Sequence, residues 1–90
     1  MDTQFLTDLG DYQARPVIID RVSDDEVYYG YCLPNCQGVA DAKWLIQKWV
    51  RNGTIEQIGF PFGLREYSFK WEDRAAYSYK ITPHLDFFTA

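Results

Sequence analysis

The residues Arg51-Asn52-Gly53-Thr54 constrain this chain more than any other four. Asn-Gly is the strongest short hairpin signal, because a type I′ turn needs positive φ at both central positions. The pair also arbitrates an ambiguous segment before it. As a helix, residues 39–50 would align Ala40, Trp44 and Lys48, with Leu45 and Trp49 beside them. As a strand, Trp44, Ile46, Lys48 and Val50 alternate with Leu45, Gln47 and Trp49. Propensity does not separate the two readings. The segment after the turn, 54–60, reads as a strand, and a strand on each side of Asn-Gly is self-consistent. A strand is therefore expected over 43–51, with a short helix near 40–50 as the alternative.

Four further strands follow from local pattern. Residues 15–22 concentrate β-branched side chains, and Pro16 falls at the strand start, where it is tolerated. Ser23-Asp24-Asp25 forms a turn into a second strand over 26–33. Gly30, inside a run of Tyr, marks a bulge or a close backbone approach. Phe60-Pro61-Phe62-Gly63 is a turn. Over 64–71, Arg65, Tyr67, Phe69 and Trp71 alternate with Glu66, Ser68 and Lys70, the cleanest strand pattern in the chain. Glu72-Asp73 turns the chain into a last strand over 74–81. The expected fold is all-β, a small antiparallel sandwich or barrel of about six short strands in three hairpins. Residues 15–81 form the single domain. Residues 1–14 are a short helix or an arm, and 82–90 are a tail.

Composition narrows function. Ninety residues make one domain with little room for a cleft. The net charge is −4. The first thirty residues hold seven acids against two bases, and the other sixty hold six acids against seven bases. No Lys/Arg cluster is present to neutralise phosphates, so nucleic acid is not an expected partner. No apolar run reaches the ~18 residues of a membrane helix, so no membrane association is expected. The first ten residues lack the basic and apolar regions of a secretory signal, so a cytoplasmic site of synthesis and assembly is expected.

No constellation of catalytic residues stands out, and the chain is expected not to be an enzyme. Cys32 and Cys36 have His84 as the one further soft ligand, short of the four that zinc takes, so they read as reduced thiols flanking a turn. Asp24-Asp25-Glu26 cannot supply the six to eight oxygens of calcium and reads as a solvated turn. No metal and no cofactor are expected. Trp71-Glu72-Asp73-Arg74 is the densest polar knot. It is either an Asp73/Arg74 clamp for a ligand or a turn in which Arg74 packs along Trp71.

Tyr28-Tyr29-Gly30-Tyr31, then Lys43-Trp44-Leu45-Ile46-Gln47-Lys48, then Trp71-Glu72-Asp73-Arg74-Ala75-Ala76-Tyr77-Ser78-Tyr79 form a recognisable series. Over about residues 28–80 it resembles small, uncharacterised virion proteins of tailed bacteriophages. The matching positions are Trp44, Ile46, Lys48, Trp71, Asp73, Arg74, Tyr77 and Tyr79. The resemblance implies a non-enzymatic structural component of the particle (head decoration, neck, tail or baseplate), located in the virion and assembled in the host cytoplasm. Its partners would be other virion proteins and further copies of itself. Cys32 and Cys36 depart from the small residues expected in that loop.

The aromatics supply the positive signal. They make up 18% of the chain, too many for one small core, so some must face outward. The expected partner-binding residues are Tyr28, Tyr29, Tyr31, Trp71, Arg74, Tyr77, Tyr79, Phe87 and Phe88. The rival reading makes the same rings a platform for carbohydrate or peptide. A more distant one is a host-directed inhibitor that uses the acidic first thirty residues.

Overall fold

The computed structural model describes residues 17–87. The segment read as an arm or helix, 1–14, lies outside them, as does Phe88. Among the described residues seven antiparallel strands form the fold. They are β1 (Ile18–Ser23), β2 (Glu26–Cys32), β3 (Ala42–Asn52), β4 (Ile55–Pro61), β5 (Phe69–Lys70), β6 (Tyr79–Thr82) and β7 (Leu85–Asp86). The ambiguous segment is thus a strand. The sheet runs β1-β2-β3-β4-β6-β7, and β5 pairs with β3.

The turns follow residue chemistry, with one correction. Asn52 pairs with Ile55 and ends the strand, so the two loop residues are Gly53 and Thr54. Gly53 has φ 65°, and neither Asn52 nor Thr54 has positive φ. A glycine at the first loop position is the pattern of a type II′ turn rather than I′. The β1–β2 hairpin is tighter than expected. Ser23 pairs with Glu26 across Asp24-Asp25, and the register slips between Arg21 and Ser23.

Cross-strand partners share a face. Asp20, Tyr28, Lys48 and Gly59 lie in one row, and Ile18, Gly30 and Ile46 in another. This face carries the core of Tyr28, Trp44, Ile46, Phe69 and Trp71, with Ile46 at 0% exposure. Each such side chain gains about 1.5–3 kcal/mol from burial. The chain closes the face with its own later residues. β4 pairs with β3 through Ile55–Gly59, then with β6 through Phe60 and Pro61. That change of partner folds β6 back, and Tyr79 packs on Tyr28 with ring centroids 5.5 Å apart.

Glycines make the closure possible. A Cβ on Gly30 would stand 2.7 Å from the Trp71 ring, and one on Gly59 would collide with the Phe87 ring. Of the two readings of Gly30, a bulge or a close approach, the structure shows a close approach, made by the Trp71 ring.

The expected strand over 64–71 does not form. Only Phe69 and Lys70 pair with β3, and Trp71–Ala76 is a 3-10 helix. β4 takes that edge of β3 only from Lys48 to Asn52, and on the rest only Ala42 and Trp44 pair. The physical reason is Trp71, which turns inward to cover Gly30 and stack on Trp44, with centroids 5.7 Å apart. The Glu72-Asp73 turn and the strand over 74–81 are corrected with it, since the strand there is Tyr79–Thr82. The third hairpin instead joins β6 to β7 across Pro83-His84, so part of the expected tail belongs to the fold.

Candidate functional site

The opposite face of the same strands contains Ile19, Arg21, Val27, Tyr29, Tyr31, Leu45, Gln47, Trp49, Glu56 and Ile58. No described element lies over it in the way that the 3-10 helix, β6 and Phe87 cover the core face. Ile19 is 45% exposed and Ile58 46%, and Val17 at the edge is 59% exposed. Tyr29, Tyr31, Leu45 and Trp49 are half-buried. A contiguous apolar, aromatic surface of this kind marks a contact site, because solvating it has no compensating gain.

Its side chains are held in place. The Tyr31 hydroxyl donates to Gln47 Oε1 at 3.0 Å. Burial pushes the Tyr31 phenol above its ordinary value, and the nearby Tyr29 and Tyr67 add to the effect. Trp49 Nε1 donates to Glu56 Oε1 at 2.9 Å. The Arg51 guanidinium lies over the Trp49 ring, 5.7 Å from its centroid, and its Nε donates to Asp25 at 2.9 Å. Fixed aromatics lose little rotamer freedom on binding, which favours association.

One end of this face is concave. Arg21, Ser23, Asp24, Val27, Tyr29, Trp49 and Glu56 line a hollow of about 470 Å³. Of these, Arg21, Val27 and Trp49 stand side by side in one row of three successive strands.

The sequence-expected contact residues divide between the faces. Tyr29 and Tyr31 belong to the open one. Tyr28 and Trp71 are core residues, and Tyr79 packs against that core, so these three are corrected from surface to interior. Burial drives the Tyr79 phenol well above the tyrosine range, with Tyr28 and Tyr77 adding and Arg74 opposing. Among the described residues its hydroxyl has no hydrogen-bond partner. Tyr77 packs edge-on to Phe69 with centroids 5.2 Å apart, and its hydroxyl accepts from the Lys70 amide at 2.9 Å. Phe87 lies over Gly59.

The polar knot also serves the fold. Arg74 stacks on Trp71 at 4.6 Å and pairs with Asp20 at 3.0 Å, while Asp73 stays exposed. The acidic turn is engaged as well, with Asp25 paired to Arg51 and Glu26 to Lys48 at 3.2 Å. Cys32 and Cys36 are not joined in a disulfide. Among the described residues no group of His, Cys, Asp and Glu is arranged to hold a metal, and no helix is long and apolar enough to cross a membrane.

Ile19, Leu45, Trp49 and Ile58 were not singled out from the sequence as contact residues. The signal was present in the alternation of 43–51, which puts Trp49 opposite in sense to Trp44. What pattern alone does not give is which face the chain will cover itself.

Comparison with protein-family models, with curated proteins and with solved structures finds no match.

Proposed function

We propose that the chain is a non-enzymatic assembly subunit that docks through its open sheet face, with a bacteriophage particle as its setting. The observation that carries the reading is the open aromatic face itself, set against a core face that the chain covers with its own residues. The setting comes from the resemblance of residues 28–80 to phage virion proteins, and has only that support.

The occupant we favour is a second copy. The outer edge of β1 is unpaired among the described residues, and Val17 and Ile19 carry the apolar surface up to it. An unpaired β-branched edge is a template for strand addition. Antiparallel addition of β1 to β1 would continue the sheet about a two-fold axis. A register centred on Asp20 or Arg21 opposes like charges. One centred on Ile19 pairs that residue with itself and sets Val17 against Arg21, so that the two Ile19 side chains meet on the open face and no like charges are opposed.

Light scattering on the full chain across a concentration series tests this. The expected result is reversible association that Ile19→Lys abolishes while leaving the folded spectrum intact. A wild-type chain that stays monomeric to millimolar concentration contradicts the reading.

A further inference from the structure

We propose that the hollow at the β1–β2 turn end of the open face binds a neutral sugar residue of an oligosaccharide against Trp49 and Tyr29. This goes beyond self-association, which needs only the β1 edge and the apolar surface beside it.

The walls and rim have the two chemistries a sugar presents. Val27, only 3% exposed, forms an apolar floor, and Trp49 and Tyr29 form the walls. Such surfaces match the C–H face of a pyranose ring. The rim carries Arg21, Ser23, Asp24 and Glu56. Among the described residues, the Arg21 guanidinium and the Asp24 carboxylate make no side-chain hydrogen bond or ion pair. Glu56 uses Oε1 for Trp49, leaving Oε2 free. A planar donor and two planar acceptors suit vicinal hydroxyls, which donate and accept at once. A volume of about 470 Å³ lies within the ~300–1,000 Å³ typical of ligand pockets.

Charge selects neutrality. An anionic ligand would meet Asp24 and Glu56, and a cationic one would meet Arg21. A polyol satisfies both signs without leaving either uncompensated. The site is also preorganised. Trp49 is held by Glu56 on one side and by Arg51, itself anchored on Asp25, on the other. The register slip between Arg21 and Ser23 lies at the mouth, where such irregularities re-aim side chains.

The test is a ¹H–¹⁵N titration of the full chain, dilute enough to be monomeric, with maltotetraose, cellotetraose and chitotetraose in turn. Three Trp give three indole signals. The expected result is that at least one sugar shifts the Trp49 indole saturably and leaves those of Trp44 and Trp71 in place. Arg21→Gln and Glu56→Gln should each weaken binding about tenfold, the loss of one hydrogen bond to a charged group. The unmoved Trp44 and Trp71 signals report that both variants remain folded. No saturable shift with any of the three sugars overturns the proposal, as does equal binding by both variants. A stronger response to sialyllactose or to choline overturns the neutral class. A Trp49 signal that moves only with protein concentration assigns the hollow to self-association instead.

Discussion

The two faces of strands β1 to β4 are drawn from the same run of sequence and meet opposite fates. On one, Gly30 and Gly59 leave depressions that Trp71 and Phe87 fill. On the other, the residues one position along are Tyr29, Tyr31 and Ile58, the first two half-buried and the third 46% exposed. Covering a face takes small residues beneath as much as large ones above. The open face has large side chains in nearly every row, so a covering segment would find no recess except the hollow beside Trp49.

Substitutions should separate the faces by size of effect. Trp71→Ala removes the ring that fills the Gly30 depression and should cost about 3–5 kcal/mol in a denaturant titration. Ile58→Thr on the open face should stay within about 0.5 kcal/mol. A comparable loss from the two would erase the distinction.

The glycines sharpen the same contrast. Gly30→Ala drives a methyl to 2.7 Å from the Trp71 ring and should cost about 1–3 kcal/mol. Gly38 has no atom within 4 Å of its would-be Cβ and no positive φ. Gly38→Ala should therefore be neutral or stabilising by up to about 1 kcal/mol through the unfolded chain. Thermal unfolding of the pair reads the difference directly.

The smallest effect concerns Tyr79. Its buried hydroxyl lacks a partner among the described residues, so Tyr79→Phe should be neutral or stabilising by about 1 kcal/mol at pH 7. Its phenol holds its proton in the folded state after the unfolded chain has released it. Folding then takes up a proton above pH ~10, and stability falls as pH rises through that range. The variant should show a shallower alkaline loss in urea titrations. Tyr31, raised for the same reason to a lesser degree of burial, retains its own share.

Much of this was legible in the sequence. Asn52-Gly53 placed the central hairpin, although glycine alone adopts the positive φ there. Gly30 read as a bulge or a close approach, and what approaches it is the Trp71 ring. The alternation over 64–71 was sound about burial and wrong about strand. Phe69 and Trp71 are both buried, yet only two residues pair, because Trp71 leaves the strand direction to fill the depression over Gly30. That is a tertiary fact with no local signature.

The candidate site was less legible. Residues chosen for their density of aromatics mostly close the fold. The positions on which the phage resemblance was drawn, Asp73 apart, behave alike. Trp44, Ile46 and Trp71 form the core, and Tyr77 and Tyr79 pack against it. Lys48 sits 5.4 Å from both the Tyr28 and Tyr79 rings, and Arg74 lies over Trp71. In this chain those positions close the sheet.

Hydroxyl-radical footprinting of the full chain across a concentration series tests the central claim most directly, because it reads side-chain exposure on both faces at once. Tyr28, Trp44 and Trp71 should be protected at every concentration, while Tyr29, Tyr31 and Trp49 react at every concentration, and Val17 and Ile19 at the β1 edge become protected as the chain associates. Reactivity of Val17 and Ile19 that does not change with concentration, or labelling of Trp44 and Trp71 in the dilute chain, would contradict the account.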